Sequence, residues 1–161
     1  MRRDKINYYL DIAESVLERG TCLRRRFGAI IVKSDEIIST GYAGAPRGRK
    51  NCCDLGSCRR IELGVAPGER YELCRSVHAE ANAIISASRN AMIGSALFLA
   101  CRDSKTGELV GGTSPCSMCK RLIINSGIEK VYVRDTKEDF REFLVSDWIE
   151  CDDSLGDHEG Y

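Results

Sequence analysis

The chain has 161 residues, 43% of them hydrophobic, and its 24 Lys and Arg balance 24 Asp and Glu for a formal net charge of zero. That length buries a real core in a single domain without staples, and the zero charge leaves no global field to draw in a nucleic-acid backbone. No run approaches the roughly 18 apolar residues of a membrane span, and Met1-Arg2-Arg3-Asp4-Lys5 leads into an amphipathic stretch rather than an apolar signal core, so the expected location is cytoplasmic.

Ile6, Tyr9, Leu10, Ile12, Ala13, Val16 and Leu17 recur at helical spacing and predict a first helix that Gly20 stops. Two strands are predicted over Phe27 to Lys33 and Glu36 to Thr40, joined as a hairpin through the polar turn Ser34-Asp35. Glycines and Pro46 in 41–48 then break the second strand into a loop that can approach a ligand closely, since glycine has no side-chain bulk, and Tyr42 and Arg47 on it are candidate substrate contacts. Ala79, Ala81, Ala83, Ile84, Ile85 and Ala87 predict a buried helix with His78 and Glu80 projecting from its first turn. Ala96-Leu97-Phe98-Leu99-Ala100 suits a strand in a sheet covered on both faces, Cys116 to Ser126 a helix ended by Gly127, and Lys130 to Arg134 a further strand. Phe140 to Val145 reads as another helix, Trp148-Ile149 as the start of a last strand, and 152–161, acidic and glycine-containing, as a frayed tail. The expected fold class is α/β, one domain over 1–161: a three-layer α/β/α sandwich with a mixed central sheet, its two metal-bearing helices side by side.

The chemistry lies in His78-Ala79-Glu80 followed by Pro115-Cys116-Ser117-Met118-Cys119. His plus two Cys make three metal ligands and leave a tetrahedral zinc one open position, as a catalytic rather than a structural zinc requires. Glu80, two residues from His78, is badly placed to share the metal and well placed to move a proton beside it. Together the two segments are the H-x-E and P-C-x-x-C signature of zinc nucleobase deaminases. A redox C-x-x-C is the weaker reading, because that motif belongs shortly after an N-terminal strand and here lies late, behind a histidine motif.

Nine cysteines with no secretion signal read as metal ligands and buried thiols rather than as a disulfide framework. Cys22, Cys52, Cys53, Cys58 and Cys74 all lie upstream of His78, in segments rich in Gly and Arg. Four thiolates would form a closed, structural zinc site, and the stretch from Asn51 to Arg75 lacks the hydrophobic periodicity that would otherwise hold so long an insertion in place. Scattered buried thiols are the alternative, and the choice between Cys52 and Cys53 is open. Cys101 and Cys151 read as ordinary thiols.

In order along the chain, Gly28-Ala29-Ile30-Ile31-Val32, Thr40-Gly41-Tyr42, His78-Ala79-Glu80-Ala81-Asn82-Ala83-Ile84, Pro115-Cys116-Ser117-Met118-Cys119 and Ile124-Asn125-Ser126-Gly127-Ile128 resemble the deoxycytidylate (dCMP) deaminase branch of the cytidine deaminase superfamily. The resemblance covers most of the chain and is weak only in the N-terminal helix and after about residue 135. It implies the cytidine deaminase fold, hydrolysis of dCMP to dUMP and ammonia, and a homohexamer regulated by dCTP and dTTP. It implies His78, Cys116 and Cys119 as ligands of a catalytic zinc, Glu80 as proton shuttle and the backbone near Ala79 as a partner for the base edge. It also implies a second zinc in the segment of Cys22 and Asn51-Cys52-Cys53, which favours the set Cys22, Cys52, Cys58 and Cys74.

Two departures stand out. The family usually reads Gly-Tyr-Asn-Gly after its second strand, the Asn bonding the substrate sugar, whereas Ala43 here has no hydrogen-bonding side chain. The family also links its third strand to Pro-Cys very briefly, whereas Arg102 to Ser114 inserts a polar loop expected at the pocket mouth. For a 5′-phosphate the expected donors are Arg24, Arg25, Arg26 and above all Arg47. The expected function is deamination of a deoxycytidine nucleotide. The alternatives are a deaminase of the same superfamily acting on a modified pyrimidine nucleotide, another amino-bearing base or RNA, and a non-catalytic, zinc-stabilised regulatory module.

Overall fold

A computed structural model describes residues 1–155. Helix α1 (Lys5–Leu17) starts where the Asp4 carboxylate accepts the Asn7 backbone N–H, and its apolar stripe of Tyr9, Leu10, Ala13 and Leu17 is buried. Strands β1 (Arg25–Lys33) and β2 (Glu36–Tyr42) form the expected antiparallel hairpin. Ser34 and Asp35 both adopt left-handed backbone, φ 52° and 63°, which is the turn geometry that matches the right-handed twist of paired strands.

With β3 (Ala96–Asp103), β4 (Lys130–Arg134) and β5 (Phe140–Leu144), the sheet has five strands in the order β2-β1-β3-β4-β5, β3 and β4 parallel and the other pairs antiparallel. Alternation along β1 divides the core in two. Ile30 and Val32 join Tyr9, Leu10, Phe98 and Tyr132 under α1. Ala29 and Ile31 join Ala79, Ala83, Leu97, Leu99 and Ile123 on the opposite face, against α4 (Ala79–Ile85) and α6 (Ser117–Ser126). Helices on both faces of a mixed sheet are the predicted three-layer sandwich.

Two glycines set the spacing of these layers. A Cβ on Gly28 would meet the Ala13 carbonyl oxygen at 2.3 Å and the Leu17 nitrogen at 2.5 Å, so α1 lies directly on β1. A Cβ on Gly41 would meet the Ala79 oxygen and the Ala83 nitrogen at 2.4 Å. The close approach expected of Gly41 is therefore to the backbone of α4, within β2, and not to a ligand.

Three other expectations are corrected. Phe140–Leu144 is strand β5, not a helix: it pairs antiparallel with all five residues of β4 and sends Phe140 to one core and Phe143 to the other. A five-residue segment with apolar residues only at 140, 143 and 144 is too short to fix a period, and the free edge of β4 decides it. Trp148-Ile149 lies in helix α7 (Val145–Glu150), where buried Val145 and, three residues on, Trp148 face the core, a helical rather than a strand spacing. Helix α4 is buried on one side only, and Ile85 is 70% exposed. The frayed tail lies largely outside the described residues; Asp153–Leu155 forms one 3-10 turn, with Asp153 paired to Lys120 at 3.0 Å. Among the described residues no helix is long and apolar enough to cross a membrane.

Candidate active site

Helices α4 and α6 lie against each other on one sheet face, and each opens on a candidate ligand. His78 is the N-cap of α4 and Cys116 the N-cap of α6, both with extended backbone and neither spending its side chain on the cap. Position N-cap ordinarily goes to Ser, Thr, Asp or Asn, whose oxygens satisfy the first N–H groups. His and Cys forgo that contact and turn toward each other. Cys119, in the first turn of α6, is 1% exposed and completes the group.

His78 Nδ1 stands 3.4 Å from Cys116 Sγ and 3.5 Å from Cys119 Sγ, and all three ligand atoms lie within 4.8 Å of one another. Zinc bonds of about 2.0–2.1 Å to nitrogen and about 2.3 Å to sulfur, opened to the tetrahedral angle, place N and S about 3.5 Å apart. Both nitrogen–sulfur separations therefore match those of a tetrahedral zinc, and the three side chains converge on one metal position. Their proton sharing runs the same way: a hydrogen bond from Cys119 and the neighbouring imidazole hold the Cys116 thiol well below its ordinary value. The Cys119 thiol is pushed up by sharing that hydrogen bond and by burial. A thiolate is the form a metal binds.

Glu80, also in the first turn of α4, is 4% exposed, and burial raises its carboxyl above the ordinary range. It belongs to the wall of a cavity of about 260 Å³ that also exposes His78, Ala79, Cys116, Ala43, Arg24 and Arg25. The loop after β2, which carries Ala43 into that wall, is tied to the motif by an antiparallel bridge between Gly44 and Val77, and by Asn82 Nδ2 donating to the Tyr42 carbonyl at 2.8 Å. The 102–114 insertion reaches the wall too, through Thr113 and Ser114.

Of the expected substrate contacts, Ala79 lines the cavity, while Tyr42 and Arg47 do not. Tyr42 spends its carbonyl on Asn82 and exposes its ring, and Arg47 lies on the exposed turn beyond Pro46. Arg26 pairs with Glu18 at 3.7 Å. Sequence reasoning missed Arg60 and Tyr71, which the 51–76 segment carries into the cavity. No periodicity marks that segment, and Arg60 reads as an ordinary residue of the short helix α3 (Arg59–Glu62) that follows α2 (Cys52–Leu55).

Among the described residues the His78, Cys116 and Cys119 group is the one cluster that closes to metal-binding distance. Cys22, Cys52, Cys58 and Cys74 do not close as tightly, yet they are electrostatic neighbours: burial raises the Cys52 thiol and Cys22, Cys74 and Cys58 add to it. Cys52 is buried, whereas Cys53 is exposed.

A His-Cys-Cys group at two helix N-termini, with a buried carboxyl beside it on a mixed sheet, defines a zinc site of the nucleobase-deaminase kind. The family model for the cytidine and deoxycytidylate deaminase zinc-binding region matches residues 3–135, and the chain belongs to that family. The match takes in the N-terminal helix, beyond the reach of the motifs alone. The deoxycytidylate deaminase of Mycobacterium phage D29 is 37% identical over 135 residues, covering 81% of this chain and 94% of that protein. The deoxycytidylate deaminase of Schizosaccharomyces pombe is 33% identical over 125 residues, and the chain spans about a third of its length, 35%. The crystal structure of dCMP deaminase from cyanophage S-TIM5 in complex with dCMP and dUMP superposes with a TM-score of 0.60 at 28% identity, over 97% of this chain and 95% of that one.

Proposed function

We propose that the chain is a zinc-dependent deoxycytidylate deaminase that hydrolyses dCMP to dUMP and ammonia. The observation that carries this reading is the buried Glu80 carboxyl beside the His78, Cys116 and Cys119 group, in a chain aligned with 94% of a phage deoxycytidylate deaminase. His78, Cys116 and Cys119 would hold the metal. When bound there, zinc supplies Lewis-acid activation of water at neutral pH.

Glu80 takes the proton that water loses as its oxygen attacks C4 of the cytosine, and delivers it to ring N3. It then passes the second water proton to the exocyclic nitrogen. The C4–N bond breaks, ammonia leaves, and C4 keeps the oxygen as the new carbonyl, so one water is consumed and both its protons are placed. Ala79 backbone on the cavity wall holds the base edge, and Arg24 and Arg25 give the wall positive charge. A second reading, in which the substrate is a modified pyrimidine nucleotide, draws on Ala43, which is 5% exposed and makes the wall apolar where the family places Asn.

The same reading gives the chain a second, structural zinc on Cys22, Cys52, Cys58 and Cys74, supported by their mutual electrostatic influence. It gives a homohexamer, supported by exposed Ile85 and Leu122 on the adjacent helices α4 and α6, with dCTP and dTTP as effectors on the strength of the resemblance. It places the protein in the cytoplasm, where nine unpaired thiols stay reduced.

Metal removal tests the core of this. Dialysis against a chelator is expected to abolish dUMP formation and added zinc to restore it, with elemental analysis of the loaded protein giving two zinc ions per chain. Full turnover without metal would overturn the mechanism, and one zinc per chain would overturn the second site.

A further inference from the structure

Arg60 is 6% exposed, yet among the described residues no carboxylate pairs with it. Its guanidinium is fixed instead by neutral partners. Nε donates to the Glu69 carbonyl at 3.1 Å, and Nη2 donates to the carbonyls of Glu69 at 2.6 Å and Ala66 at 3.1 Å. The plane lies over the Tyr71 ring, 4.5 Å from its centre. Among the described residues that leaves Nη1 as the nitrogen without a hydrogen-bond partner, on a side chain that lines the same cavity as Glu80 and Cys116. The nearest acidic influence, Glu72, is exposed and pairs with Arg70 at 2.6 Å.

A buried positive charge with no counter-charge is costly unless an anion meets it. Carbonyls and an aromatic face hold the fork in one orientation without neutralising it, which is how a binding group is preorganised rather than how an ion pair is built. Tyr71 in turn meets the His78 ring edge-on, with centres 4.9 Å apart, so the guanidinium lies within about 10 Å of the candidate metal ligand. A mononucleotide bound with its base at the metal ligands can therefore reach the guanidinium with its phosphate. Among the described residues Arg24 and Arg25 share the cavity and likewise lack carboxylate partners, while Glu80, the one carboxyl lining it, is committed to the chemistry.

We propose that Arg60 is the specificity-determining residue that grips the phosphate monoester of the substrate, which rests on the deaminase reading above. The segment 51–76 thus supplies the phosphate grip, in place of the glycine loop that carries Arg47. Tyr71 holds that grip in register with His78.

Arg60 also braces the 60–69 loop, so the test must separate grip from brace. Binding of dUMP and of deoxyuridine to zinc-loaded protein is measured by calorimetry for wild type, Arg60→Gln and Arg60→Lys, alongside melting temperature. Arg60→Gln is expected to weaken dUMP about 10- to 100-fold while deoxyuridine changes by less than about 3-fold, the usual loss of a hydrogen bond to a charged group. Arg60→Lys keeps the charge without the fork and is expected to fall between. Equal losses for both ligands in Arg60→Lys, or an unchanged preference for dUMP in either folded variant, would overturn the proposal. Turnover of dCMP by the wild type bears separately on the deaminase reading.

Discussion

Glu80→Gln is expected to lower kcat for dCMP by about 10²- to 10⁴-fold while the protein keeps its zinc and its melting temperature. The substitution preserves shape and removes the proton-carrying capacity. Glu80 is not a solvated residue of a helix face, because it is 4% exposed in the wall of the cavity. Nor is it needed for the metal, since His78, Cys116 and Cys119 already converge as three ligands without it. Elemental analysis beside steady-state kinetics separates the two roles. Undiminished turnover would remove Glu80 from the mechanism, and loss of zinc would make it part of the metal site.

The largest effect on stability is expected far from the cavity, on the α1 side of the sheet. Arg134 is 1% exposed; its Nη1 meets Asp11 at 2.6 Å and Glu14 more closely still, and its Nη2 donates to Asn7 Oδ1 at 2.8 Å. Arg102, at the start of the polar insertion, reaches the same Glu14 at 2.6 Å. Removing one partner from such a buried set strands the others, so Arg134→Met is expected to destabilise the fold by about 3–5 kcal/mol in denaturant unfolding. A loss below about 1 kcal/mol would show that the network is solvated. The network also sets acid sensitivity. Burial alone would raise Asp11 and Glu14, but hydrogen bonds from Arg134, reinforced by Arg3 and Lys137 on Asp11 and by Arg102 on Glu14, outweigh it and hold both carboxyls below their ordinary values. Carboxyls depressed in the folded state stabilise it above their unfolded pKa values of about 4, and that contribution is lost as pH falls below them. The Arg134→Met variant is expected to show a flatter acid limb than the wild type.

The metal group was legible because its chemistry is local: His78 and Glu80 are two residues apart, Cys116 and Cys119 three, and each pair sits in one helical turn. The β1-β2 hairpin was legible because apolar runs on either side of Ser34-Asp35 leave one arrangement. Strand β5 was not, because Phe140 to Leu144 acquires its period from pairing with β4, a contact no local pattern contains. The cavity wall was hidden for the same reason. Arg47 carried the stronger local signal, in a glycine loop, yet that loop is tied to Val77 and α4, while Arg60 is brought in by carbonyls six and nine residues further along the chain. Gly41 looked like a ligand contact because sequence shows the absence of a side chain and not what occupies the space, which here is the backbone of α4.

The most direct test of the central claim is ammonia release by zinc-loaded protein from dCMP, deoxycytidine, CMP, dCTP and 5-substituted dCMP, each with and without dCTP as activator. The zinc site, Glu80 and the arginine-lined cavity predict the highest kcat/KM on dCMP, with deoxycytidine, which lacks the phosphate, well below it. Silence on dCMP with turnover of another compound would contradict the substrate assignment, and silence on all of them would contradict the deaminase reading itself.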